Sequence, residues 1–155
     1  MANDETEVRV KGETLAAYRA ARYRVFTDPP VDMRIGETSP AIARLLARHG
    51  VETAVFVTAF NPFSHPSSDA DNAARQQALA VRLEGLSLAT IPGAGLDPLG
   101  AWPAEASLLA LGADSDVATQ LMVEFEQNAV VFVDREGRPE LLFHPSLADK
   151  GGACE

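Results

Sequence analysis

Val55-Phe56-Val57-Thr58-Ala59-Phe60-Asn61-Pro62-Phe63-Ser64 opens as a strand and closes as a turn. Its first half, with Ala54, is a short apolar run rich in Val and Phe, preceded by Gly50 and ended by Asn-Pro. That pattern belongs to a central strand rather than a helix. Pro62 has no N–H to give a sheet ladder, so the strand stops near Asn61. Ser64, His65, Pro66, Ser67, Ser68 and Asp69 follow, all turn-forming or capping residues, and a helical pattern then runs from about Ala70 to Glu84. Leu79 and Leu83 supply its apolar face, with Asn72 on the same side. The polar loop between strand and helix makes the rim of a site.

Downstream, Leu86 to Ile91 alternates as a half-buried strand and leads into a turn-rich loop, Pro92 to Gly100. No helix pattern follows those glycines, so they do not make a dinucleotide fingerprint. Ala106 to Leu111 reads as the next strand. Asp114 or Ser115 caps a helix striped by Val117, Ala118, Leu121, Met122 and Phe125, ending near Gln127 or Asn128 with Asn as the left-handed cap. Ala129 to Val133 is a buried strand, and Asp134 to Gly137 turns it into a last strand, Glu140 to Phe143. Upstream, a short helix is predicted from Glu13 to about Arg22, a brief strand at Tyr23 and Val25, and a loop over 27–37. A helix then starts at Ser39-Pro40, carries Ile42, Leu45, Leu46 and His49 on one face, and stops at Gly50.

From residue 53 the order is therefore strand, helix, strand, strand, helix, strand and one hairpin strand more. This predicts an α+β fold, a ferredoxin-like split βαβ sandwich with helices on one face of a largely antiparallel sheet. The extra N-terminal helices and short strand add to one edge or to the open face. Residues 1–12 are expected to be frayed, 13–145 to form a single domain and 146–155 a flexible tail.

The 155 residues are 46% hydrophobic and 23% charged, close to the globular average. No apolar run nears the roughly 20 residues that span a bilayer, and the first residues are acidic where a signal peptide is basic, so a soluble cytoplasmic protein is predicted. The single cysteine, Cys154, has no intramolecular partner and reads as an inert tail thiol. A net charge of −9 opposes nonspecific nucleic-acid binding. The charge is uneven, about +1 over residues 1–50 and −10 over 51–155. Arg far outnumbers Lys and Ala is abundant, the pattern of a GC-rich bacterial coding bias.

Several stretches together resemble a known bacterial family. Tyr18, Tyr23 and Val25; Thr58-Ala59-Phe60-Asn61-Pro62 with Ser64; Asn72 and Arg75; the Gly93 to Pro98 loop with Trp102, Glu105 and Ser107; and Phe125, Gln127, Asn128 and Ala129 are similar to the family known as domain of unknown function 3293. The resemblance runs over about residues 15 to 133, and Thr-Ala-aromatic-Asn-Pro is its most specific motif. Phe60 stands where the family more often has Trp, and Glu126 where it usually has Gly. The family implies a small bacterial cytosolic domain and brings no established activity, cofactor or substrate.

The polar constellation to examine is Asn61, Ser64, Asn72, Arg75, Trp102, Glu105 and Gln127. On one reading it is a binding site for a small anionic ligand. Arg75 and the free N–H groups of the helix hold a carboxylate or phosphate, Asn61 and Asn72 orient it, and Trp102 gives an apolar wall. On the other it is scaffolding: Arg75 pairs with Glu105, Asn61 bonds its own backbone, Trp102 is core, and the protein is an interaction or self-association module. Ser64 beside His65 lacks a nucleophile elbow, and adjacent side chains seldom transfer a proton. Glu105 against an aromatic has the setting of a general acid or base as well as of a salt bridge. His49, His65 and His144 lack ligand spacing, so neither a metal nor a cofactor is predicted, and no reaction is named.

Overall fold

All four residues of β3 (Ala54–Val57) are buried, as a strand must be when apolar side chains face a layer on each side. In the computed structural model, which describes residues 12–146, β3 lies between β5 (Glu105–Leu111) and β6 (Ala129–Val133). The other elements are α1 (Gly12–Ala20), β1 (Arg22–Val25), β2 (Val31–Met33), α2 (Pro40–Arg48), a 3-10 turn (Pro62–Ser64), α3 (Asp69–Gly85), β4 (Ala89–Leu96), α4 (Ser115–Phe125) and β7 (Pro139–Phe143). The sheet order is β2-β1-β4-β5-β3-β6-β7, and every neighbouring pair is antiparallel. The fold is α+β. The β3-α3-β4 unit leaves a gap that β5 fills, and β5-α4-β6 straddles β3 in the same way. The expected frayed N-terminus and loose tail, with Cys154, lie almost wholly outside the described residues.

Alternation along β3 divides the core in two. Val55 and Val57 meet Leu79 and Leu83 of α3 and Leu121 and Met122 of α4. Ala54 and Phe56 face the other way, in a cluster with Leu109, Val131 and Ile42, Leu45 and Leu46 of α2. Each such Leu or Ile, once buried, contributes about 1.5–3 kcal/mol. Helices α3 and α4 thus share one face, as the order of elements from residue 53 predicts, and α2 covers the other. The N-terminal region takes both of the places open to it: β1 and β2 lengthen the sheet beyond β4, and α2 packs on the second face. Ser39 caps α2 by accepting from Ile42 N at 3.3 Å, with Pro40 in the first turn.

Three local readings change. The 27–37 loop contains β2, paired to β1 through Tyr23 and Met33. The fourth strand is Ala89–Leu96, not 86–91. Pro92 is tolerated because the β1 ladder begins only at Gly93, and its carbonyl accepts from Phe26 N at 2.9 Å. Gly93 belongs in the strand because a Cβ there would lie 2.3 Å from Arg24 O and 2.8 Å from the Phe56 ring. Finally, α4 ends at Phe125, and the left-handed residue is Glu126 (φ 55°) rather than Asn128.

Candidate functional site

Tyr23, Gly95 and Glu105 lie in one row across β1, β4 and β5, and directly opposed residues share a sheet face. Gly95 contributes no side chain, and a Cβ built on it would have nothing within 4 Å. Tyr23 and Glu105 therefore flank a gap, which is the floor of a cleft of about 890 Å³ on the α2 side of the sheet. Phe56 extends the floor and meets the Tyr23 ring edge-on, with centroids 5.6 Å apart. The walls are α1, the 97–104 loop with Trp102, the 58–67 loop and the start of α3.

The 58–67 loop is held by side chains where the β3 ladder has ended. Ala59 N donates to Gln76 Oε1 at 2.9 Å, and Ala59 O accepts from Arg75 Nε at 2.7 Å. Phe60 O accepts from Gln127 Nε2 at 3.1 Å, and Thr58 Oγ1 links Phe60 N to Ala106 O. Asn61, in the left-handed region at φ 51°, forms a reciprocal pair with Asn72: its N–H donates to Asn72 Oδ1 at 2.9 Å, and Asn72 Nδ2 donates to Asn61 Oδ1 at 3.0 Å. Ser67 N also donates to Asn61 Oδ1 at 3.0 Å. That leaves Asn61 Nδ2 directed at Glu105 Oε2, 3.0 Å away. The Thr-Ala-aromatic-Asn-Pro motif is thus a backbone segment whose polar groups find partners outside the sheet.

Six of the seven candidate residues, Asn61, Ser64, Asn72, Trp102, Glu105 and Gln127, line the cleft. Arg75 does not. Its guanidinium donates to the carbonyls of Ala59 and Phe125 and pairs with Glu126 at 3.4 Å, so it ties α3 to the ends of β3 and α4. The pairing of Arg75 with Glu105 is corrected too, since Glu105 bonds Asn61. Gln127 is structural as well, its Nε2 shared by Phe60 O and Phe125 O. Ser64 Oγ is held by Tyr18 OH at 2.8 Å and Asn128 Nδ2 at 3.0 Å, and no hydrogen bond joins it to His65. Residues the constellation omitted are Tyr18, Tyr23, Phe56 and Gly95. The two tyrosines, and Gly95 within the Gly93 to Pro98 loop, stood among the residues carrying the family resemblance; Phe56 read only as part of the central strand.

The electrostatics of the cleft are one-sided. Among the described residues lining it are Asp69, Asp97 and Glu105, with no Arg, Lys or His. The start of α3 is already served by the Ser68 cap and by Asp69 and Asp71 in its first turn, so an anion finds no cation and no unopposed helix end. Burial pushes the Glu105 carboxyl above its usual range, against the Asn61 hydrogen bond, which holds it down. Burial likewise pushes the Tyr23 phenol far up, helped by Tyr18 and Glu105. Tyr23 stays neutral and donates to Tyr18 O at 2.6 Å. Among the described residues no three His, Cys, Asp or Glu side chains converge as metal ligands, and no helix is long and apolar enough to cross a membrane.

Residues 57–130 match a family model described as Protein of unknown function (DUF3293). Over these residues, just under half of the chain, the match supports the DUF3293 family. The match begins in β3 and ends in β6, so it covers Asn61, Asn72, Arg75, Trp102, Glu105 and Gln127. The walls that α1 and β1 add, with Tyr18 and Tyr23, lie upstream of the DUF3293 segment. No curated protein and no solved structure matches the chain.

Proposed function

We propose that this DUF3293 protein binds a small organic molecule in the cleft between α1, the 97–104 loop and the 58–67 loop. The observation that carries the reading is a site of about 890 Å³ whose polar wall is fixed before any ligand arrives. Asn61 and Asn72 hold each other, and together they orient Glu105 toward aromatic walls from Phe56, Tyr23 and Trp102. Ligand sites of this size combine a mainly apolar lining with a few placed polar groups. The sequence reading of an anionic ligand gives way, because Arg75, its only cation, is engaged elsewhere. The interleaved β3-α3-β4 and β5-α4-β6 units are read as the ferredoxin-like split βαβ arrangement, and a bacterial cytoplasmic setting is part of the same proposal.

Thermal unfolding against a panel of amines, alcohols, carboxylic acids and phosphate esters tests the reading. A bound ligand at about 100 times its dissociation constant adds roughly 2.7 kcal/mol to stability, a rise of several degrees. Gly95→Leu fills the cleft at a position where a Cβ meets nothing, so it should keep the fold and lose the shift. A shift retained in Gly95→Leu places binding elsewhere. Absence of any shift, with concentration-dependent sedimentation, favours a self-association module.

A further inference from the structure

The cleft's own charge states which class of molecule it takes, and the inference rests on the reading that the cleft is a binding site. We infer that its ligand carries a positive charge, an ammonium or guanidinium group on an apolar body, with the cation seated against Glu105. Glu105 Oε2 accepts from Asn61 Nδ2 at 3.0 Å, and among the described residues no protein group donates to Oε1. Glu105 is half-buried and Oε1 is not sealed from water, so it is solvent and not a protein group that serves this oxygen in the open cleft. A cationic ligand displaces that water and meets the carboxylate through a charge-assisted hydrogen bond. Tyr23 and Trp102 are among the lining residues, and an aromatic lining suits a cation on an apolar body better than an anion.

If Glu105 served only to anchor Asn61, its accepting oxygen would be enough, and a neutral amide would do that work without a desolvated charge. Asp97 is different: Leu99 N and Ala101 N donate to its two oxygens at 2.9 and 2.7 Å, so its carboxylate folds the loop, and its charge reaches the cleft only as background. Asp69 lies at the exposed start of α3. Glu105 is the acid whose remaining oxygen faces a volume large enough for a ligand.

The test uses matched probes: 2-phenylethylamine, 2-phenylethanol and phenylacetate, with hexylamine, hexanol and hexanoate as an aliphatic set, titrated calorimetrically into wild type, Glu105→Gln and Gly95→Leu. The amines should bind at least about tenfold tighter than the alcohols, and phenylacetate and hexanoate weakest. Glu105→Gln should remove the amine advantage while still binding the alcohols, and Gly95→Leu should abolish all binding. In wild type the amine affinity should rise as pH climbs through the Glu105 titration; Tyr18, Tyr23, Asp69 and Asp97 also face this volume, so the rise must vanish in Glu105→Gln to belong to Glu105. If alcohols or carboxylates bind as well as amines and Gly95→Leu blocks them, the site stands and its charge class is wrong. If no probe binds, or Gly95→Leu binds like wild type, both readings fall.

Discussion

Arg75 and Glu105 carry opposite lessons about charge. Arg75 gives its donors to the main-chain carbonyls of Ala59, in the loop after β3, and of Phe125, at the end of α4, so Arg75→Ala leaves partly buried acceptors without partners. A loss of about 2–4 kcal/mol is expected in urea unfolding, with ligand affinity in the cleft unchanged. Arg75→Lys should recover only part, because a point ammonium cannot reach two carbonyls and Glu126 as a planar fork does. Glu105 works the other way. Its folded carboxyl holds a proton more tightly than the unfolded one, so its contribution to stability is fully present at low pH. That contribution is lost as pH rises from about 4.3, the unfolded value, through the higher folded one. Glu105→Gln keeps an acceptor for Asn61 and removes the decline. Melting temperatures from pH 4 to 8 should show a flatter curve for the variant, at least as stable as wild type near neutrality.

Helix α4 ends on Glu126, a side chain in a left-handed conformation that glycine adopts without steric cost. Glu126→Gly should relieve about 1 kcal/mol of backbone strain. Against this stands the Arg75–Glu126 pair, half exposed at 3.4 Å and worth a few tenths of a kcal/mol. The net expectation is a gain of about 0.5–1 kcal/mol, measurable as a higher denaturation midpoint. Elements with local signals were legible in the sequence: α2, α3 and α4 through Ser39, Ser68 and Asp114 at their starts, and β3 and β6 through unbroken apolar runs. β2 was not, because its three residues owe their strand to pairing with β1. Nor was the second half of β4, where Pro92, Gly93 and Gly95 look like chain breakers. Gly93 answers to the Phe56 ring, and Gly95 opens the space between Tyr23 and Glu105; those neighbours are near only once the sheet has formed. Asn61, Asn72 and Glu105 could be nominated as rim residues. The direction of Arg75 could not, since one of its acceptors is 50 residues away along the chain.

The N-terminal region binds the two ends of the sheet together. β1 and β2 extend the sheet beyond β4, and the sheet curls so that the segment just after β2 meets the hairpin of the other edge. There Gly36 N donates to Pro139 O at 2.8 Å and Ser39 N to Gly137 O at 3.0 Å. Gly137, at φ 79°, packs so closely under α2 that a Cβ would lie 2.2 Å from Ser39 O. Gly137→Ala should therefore cost about 3 kcal/mol and weaken amide protection in α2 as well as in the β6–β7 hairpin, read by hydrogen exchange. The same method gives the 58–61 loop a clock. Its amides at Ala59, Phe60 and Asn61 donate to side-chain oxygens of Gln76, Thr58 and Asn72. Their protons should exchange on the slow schedule of β3, although no strand ladder includes them. A molecule arriving at the cleft would then meet a wall that has already stopped moving, and association should show a single concentration-proportional rate with no slower rearrangement behind it.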